Sequence, residues 1–157
     1  MDKNQKEKVL PIPSTMEASL LAWSNNKPVC PKNGKAQYGK YSTLEDVIAT
    51  VDQAAKYGLT FTQVNDFIIT DQGAVVDFIQ TEMIHASSGS VKIGRTPIKV
   101  KDTSNPQAMG SGITYAKRYG LQAMFGLASD DDGKDAAGSA AATGNKTIKR
   151  VNPEEDF

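Results

Sequence analysis

The sequence is poor in the residues that most often carry chemistry: it has one cysteine, Cys30, and one histidine, His85. A lone cysteine excludes an intrachain disulfide framework, and a lone histidine with no nearby cysteine argues for a structural or surface role rather than a zinc site. The stretch MDKNQKEK has no apolar core like that of a secretory signal, and no run approaches the length needed to cross a bilayer. A soluble, cytoplasmic protein is the expectation. Excess charge is missing too: 18 basic residues meet 18 acidic ones, which argues against a polycation. No phosphate-binding G-x-x-x-x-G-K-[ST] loop exists, since Gly34-Lys35 and Gly39-Lys40 lack the required frame and Gly133-Lys134 is followed by Asp135. There is no nucleophile elbow. The one arrangement suited to catalytic Mg²⁺ is the run Asp130 to Asp132, because hard cations take carboxylate oxygens. Consecutive aspartates behind a helix end more often form a solvated acidic break, so no catalytic residue, metal or cofactor is expected.

What is present is unevenly distributed. Up to Ala128 there are 14 Lys and Arg against 11 Asp and Glu, and from Ser129 onward 4 against 7, so a slightly basic body carries an acidic tail. Length permits one ordinary domain with appendages. Residues 1–13 read as a mobile arm, 14–128 as the folded domain, and 129–157 as a disordered tail whose Gly, Ala, Ser and Thr cannot bury enough apolar surface to fold.

Within the domain the hydrophobic period changes twice. Ser14 or Thr15 can cap a first helix running to about Ser24, with Met16, Leu20 and Trp23 at helical spacing and Trp23 in the core. A lysine-rich loop, 25–40, follows. Its solvated reading comes first, although Lys35, Tyr38, Lys40 and Tyr41 interleave cations with aromatics as a single-strand groove would. Ser42 to Glu45 has the S-x-x-E spacing of a capping box and opens a second helix with Leu44, Val47, Ile48, Val51 and Ala55 inward, ended by Gly58 in a left-handed turn. The segments 59–70, 74–86 and 90–96 are rich in Thr, Phe, Val and Ile and are separated by turn residues, which predicts a three-stranded antiparallel meander. In its second strand Val76, Phe78, Gln80 and Glu82 share one face; the other holds Val75, Asp77, Ile79, Thr81, Met83 and His85. Neither is cleanly apolar, so both should be partly covered.

The stretch PQAMGSGITYAKRYGLQAMFGL organises the reading. Asn105 suits an N-cap and Pro106 the first helical position. Met109, Ile113, Ala116, Gly120, Ala123 and Leu127 fall on one side of the helix, and Ser111, Thr114, Tyr115, Arg118 and Gln122 on the other. A hydroxyl, aromatic and guanidinium face suits single-stranded nucleic acid. Gly110, Gly112 and Gly120 each cost about 1 kcal/mol against Ala in a helix, so something must offset them. For Gly120 that is close packing; for Gly110 and Gly112, close packing and phosphate binding near the helix N-terminus compete evenly. Leu121 and Phe125 stand off the main buried face and point to a neighbouring subunit or to the first helix.

Gly39-Lys40-Tyr41-Ser42-Thr43-Leu44, Tyr57-Gly58-Leu59, Ile84-His85-Ala86-Ser87, the block from Gly110 to Tyr119 and Gly126-Leu127 before Asp130-Asp131-Asp132-Gly133 occur in the order that resembles the Erf family of bacteriophage single-strand annealing recombinases. The G-S-x-I-T-Y-A-x-R-Y block is the specific part; Gly112 stands where the family more often has alanine. The resemblance implies an α+β fold similar to the eukaryotic strand-annealing proteins, a β-meander flanked by helices. It further implies an ATP-independent protein of the bacterial host cytoplasm that binds single-stranded DNA, forms a homo-oligomeric ring or filament and pairs complementary strands. On that reading Lys117 and Arg118 meet phosphate, Tyr115, Tyr119 or Tyr41 stack or support bases, and Lys40, Lys92, Arg95, Lys99 and Lys101 are secondary contacts. A passive single-strand-binding module and an Mg²⁺-dependent nuclease using the aspartate run are the alternatives.

The segment 152–157, NPEEDF, reads first as a solubilising acidic tail. It also resembles the C-terminal tip of bacterial single-strand-binding proteins, which implies either recruitment of a host replication or repair protein or competition with DNA for the protein's own groove.

Overall fold

The computed structural model describes residues 11–37 and 39–128. The expected tail 129–157, with its aspartate run and acidic tip, and residues 1–10 of the expected arm lie outside the described residues. The elements follow the order α1 (Met16–Asn26), β1 (Gly34–Ala36), β2 (Gly39–Tyr41), α2 (Leu44–Val51), β3 (Leu59–Ile69), β4 (Val75–His85), β5 (Val91–Pro97) and α3 (Pro106–Phe125), with a 3₁₀ segment Asp52–Tyr57 continuing α2. This is the expected α+β arrangement: β3, β4 and β5 form one antiparallel sheet in that order. Leu59 stands opposite His85 and Ile69 opposite Val75, while Ile84 stands opposite Val91 and Phe78 opposite Pro97. The lysine-rich loop contains a short ribbon that the sequence reading missed, β1 paired with β2 with Gly34 opposite Tyr41. Three-residue strands are too short to show a period, and the aromatic ring over Gly34, which leaves no room for a Cβ there, is a contact made only in space.

Helix ends are set by local chemistry. Thr15 caps α1 by accepting from Ala18 N–H at 3.2 Å. The capping box of α2 is one residue later than expected. Thr43 Oγ1 accepts from Asp46 N–H at 3.1 Å, and the Asp46 carboxylate accepts from Thr43 N–H at 2.8 Å. With this box Asp46 also accepts from the Asn33 side chain at 2.6 Å. Beyond Val51 the helix tightens to about three residues per turn, so the next inward residue is Ala54 rather than the expected Ala55. Gly58 then ends it in the left-handed region, at φ 77°.

The core lies where α1, α2 and α3 meet one end of the sheet, and consists of Trp23, Val47, Val51, Ala54, Leu59, Met83, Leu121 and Phe125. Trp23 is the hub. Its Nε1–H donates to the Phe125 carbonyl at 2.8 Å, and its ring meets those of Phe125 and Tyr57 edge-on. Such geometry adds about 0.5–1.5 kcal/mol per pair beyond burial. Of the two readings of Leu121 and Phe125, contact with the first helix is the one realised. His85 is structural, as expected, and fully buried. Ser88 N–H donates to its Nδ1 at 3.3 Å, so the ring hydrogen is on Nε2, which lies 3.1 Å from the Pro13 carbonyl and 3.0 Å from Ser19 Oγ. Pro13, the last residue of the expected arm, is thereby tied to the sheet.

Candidate functional site

Helix α3 positions the site because it is packed on two opposite sides. Toward the sheet it brings Gly120 so close to β4 and β5 that a Cβ there would sit 2.7 Å from Thr81 Oγ1 and 3.1 Å from Thr96 Oγ1. Gln63 bridges this contact, donating to Thr81 Oγ1 at 2.8 Å and to the Lys117 carbonyl at 2.9 Å. The expected close packing of Gly120 therefore holds. Gly112 packs likewise, since its Cβ would meet Val100 at 2.5 Å, whereas a Cβ on Gly110 would meet nothing. The even contest is thus decided for packing at Gly112 alone.

Arg118 lies two residues, about 200°, from Gly120 around the helix and so faces α2. The expectation that it stands open to solvent, opposite the packed face, is corrected: it is 6% exposed, and Gln122 beside it is 2% exposed. Amphipathic spacing registers one buried face and cannot register a second one made of polar residues. Arg118 Nη1 donates to the Ser42 carbonyl at 2.9 Å. Its guanidinium carbon is 4.8 Å from the ring centre of Tyr115, 5.0 Å from Tyr119 and 5.1 Å from Tyr41. Tyr115 and Tyr119 are stacked, with ring centres 5.9 Å apart. Two further expectations for the helix fail in detail. Ala123, placed on the buried side, is exposed, and Ile113 is only half-buried, because the sheet reaches α3 through a narrow contact centred on Gly120.

Burying a cation costs several kcal/mol. Cation–π contacts return about 0.5–2 kcal/mol each and a charged hydrogen bond about 1.5–3 kcal/mol, so the site roughly breaks even with no anion present. Among the described residues Arg118 meets a carbonyl, the Tyr119 hydroxyl and three ring faces, none of them an anion, and its buried Nε–H has no hydrogen-bond partner. It borders a cavity of about 150 Å³ whose other walls are Tyr41, Thr43, Leu44, Thr114 and Tyr115. Tyr115, 57% exposed, forms the accessible wall.

The structure thus brings together Tyr41, Tyr115, Arg118 and Tyr119 from the sequence candidates, with Lys40 exposed on β2 next to Tyr41. It does not bring the others to this cavity. Lys92 borders a different cavity, between β5 and α3. Arg95 lines that same cavity, while its guanidinium donates to Gln80 at 3.2 Å over the Phe78 ring on the opposite sheet face. Lys99 and Lys101 are exposed in the linker before α3, and Lys117 is half-buried beside β3. Sequence reasoning missed Thr43 and Leu44 as walls; their place directly after Tyr41 was the available signal. Among the described residues no group of three or more His, Cys, Asp or Glu side chains is placed to hold a metal, and no helix is long and apolar enough to cross a membrane.

An antiparallel meander backed by one long helix, with a cavity lined by a guanidinium and tyrosine rings on the helix's far side, is an α+β module. The sequence matches the ERF superfamily over residues 17–156, and the chain belongs to that family. The family is associated with single-strand annealing proteins of phage recombination. No curated protein and no solved structure matches the chain.

Proposed function

We propose that this protein binds single-stranded DNA and anneals complementary strands without ATP, in phage homologous recombination, as a homo-oligomeric ring or filament. The observation that carries the reading is the Arg118 guanidinium, which among the described residues lies against three tyrosines with no acidic partner and lines a cavity walled by Tyr115. A backbone phosphate supplies the missing anion, and Tyr115 supplies a stacking face for a base, the pairing of cation and ring that single-strand binding uses. Tyr41 and Tyr119 hold the guanidinium in place, Lys40 flanks the entrance, and Lys117 adds charge along the strand's path. Lys92, Arg95, Lys99 and Lys101 lie away from this cavity and contribute at most a diffuse field.

The test is a fluorescence assay with complementary labelled oligonucleotides, without nucleotide. Acceleration of pairing that is lost in Tyr115→Ala supports the reading. Binding that leaves the pairing rate unchanged makes the protein a passive coating module instead.

A further inference from the structure

Beyond Pro97, which stands opposite Phe78, the tip of the β3–β4 hairpin pairs with no third strand and forms an arm. Phe67, Ile68, Ile69 and Val75 are 46–66% exposed on its two faces. A two-stranded ribbon is marginal in water, and apolar exposure of this extent marks an interaction surface. The arm's charge is all of one sign. From Leu59 to Val91 there are four acidic residues, Asp66, Asp71, Asp77 and Glu82, and no lysine or arginine. The following stretch is the reverse, with Lys92, Arg95, Lys99 and Lys101 and no acid up to Lys101. β5, which carries the first two of these cations, is an edge strand. Between β5 and α3 is a cavity of about 240 Å³ lined by Gly94, Gly120, Ala123 and Met124, with Lys92 at its border. A dry cavity of about 150 Å³ holds a benzene ring, so this one has room for a phenyl side chain.

We infer that the occupant of this cavity is a second copy of the chain: Phe67 at the acidic hairpin of one molecule enters the basic β5–α3 groove of the next. The two complementary surfaces lie at different places on the same molecule, so the contact is head-to-tail and propagates into a ring or a filament. The inference deepens the assembly part of the proposed function by naming its surfaces, and it removes Lys92 and Lys99 from the DNA path.

The test uses two full-length variants at exposed positions, Phe67→Asp in the arm and Ala123→Trp to fill the groove, with circular dichroism to confirm that each is folded. Light scattering without DNA is expected to give a multimer for the wild type and a monomer for each variant. An equal mixture is expected to give a species of twice the monomer mass and no larger, since one variant keeps a good groove, the other a good arm, and the pair cannot propagate. Should Phe67→Asp not fold, the surface reversals Asp66→Lys with Asp71→Lys and Lys92→Glu with Lys99→Glu take the same roles. Either variant retaining the wild-type mass, or a mixture that stays monomeric, overturns the inference. So does a Lys92→Glu, Lys99→Glu protein of wild-type mass that has lost single-strand binding, because β5 then belongs to the DNA. A wild type that assembles through the arm yet pairs no strands overturns the annealing function and leaves this interface standing.

Discussion

The two sides of α3 are built on opposite principles. Toward the sheet, Gly120 removes every side-chain atom so that backbone and the Thr81 hydroxyl approach closely, and the contact is closed by Gln63. Toward α2, a long cation and three rings occupy the interface, and among the described residues the Arg118 Nε–H has no partner. One helix is thus held by a close backbone contact on one side and by a cation among rings on the other.

Breaking the support common to both sides has the largest effect. Leu121→Ala removes a fully buried side chain from the core beneath α3, and the unfolding free energy in urea is expected to fall by about 2–5 kcal/mol. Arg118→Ala attacks the side toward α2. Single-strand affinity is expected to fall, with the slope of log affinity against log salt shrinking by about 0.7 for one lost phosphate contact. Arg118→Lys should not restore it, because an ammonium cannot lie flat among three rings. An unchanged affinity and slope would make the guanidinium a purely structural post.

Tyr115→Ala isolates the stacking wall. Binding titrations should show a loss of about 1–3 kcal/mol, while unfolding free energy should fall by no more than about 0.5–2 kcal/mol for the lost contact with Arg118. A smaller pair of changes separates the glycines of the first turns. Gly110→Ala should stabilise by about 1 kcal/mol, since its Cβ meets nothing, whereas Gly112→Ala should destabilise by forcing Val100 aside. Weakened DNA binding in folded Gly110→Ala would point to phosphate close to that backbone.

The mildest prediction concerns the wall that α2 contributes. The Thr43 N–H holds the Asp46 carboxyl below its usual pKa, against the opposing push of burial, and the Asn33 side chain lowers it further. A depressed folded value means that the stabilisation is present above the unfolded pKa of about 3.9 and is lost as pH falls through the folded value. Melting curves at pH 7 and pH 3 should therefore converge more for Asp46→Asn than for the wild type. Equal pH sensitivity would remove Asp46 from the support of the Ser42 carbonyl.

Much of this architecture was legible before any coordinates. Asn105-Pro106 and Gly126 mark the ends of α3 through capping chemistry that acts over three or four residues, and the three strands follow from β-branched runs broken at Asp71-Gln72-Gly73 and Ser87-Ser88-Gly89. Trp23 and His85 were placed correctly because a large aromatic at helical spacing and a solitary histidine each leave few options. The ERF membership was legible in the order of short motifs, above all Gly110 to Tyr119.

The sequence by itself therefore determined the elements, their order and the family, since each of these rests on local propensity, capping or a linear motif. Which of two good capping residues starts α2 was decided in three dimensions, where Asn33 joins Asp46 and Arg118 takes the Ser42 carbonyl. The burial of Arg118 was decided there too. A helical wheel shows which residues share a side, but only packing against a second partner determines whether a polar side is open or enclosed. Here α2 and the β2 tyrosine enclose it, turning an apparent surface cation into one wall of a cavity.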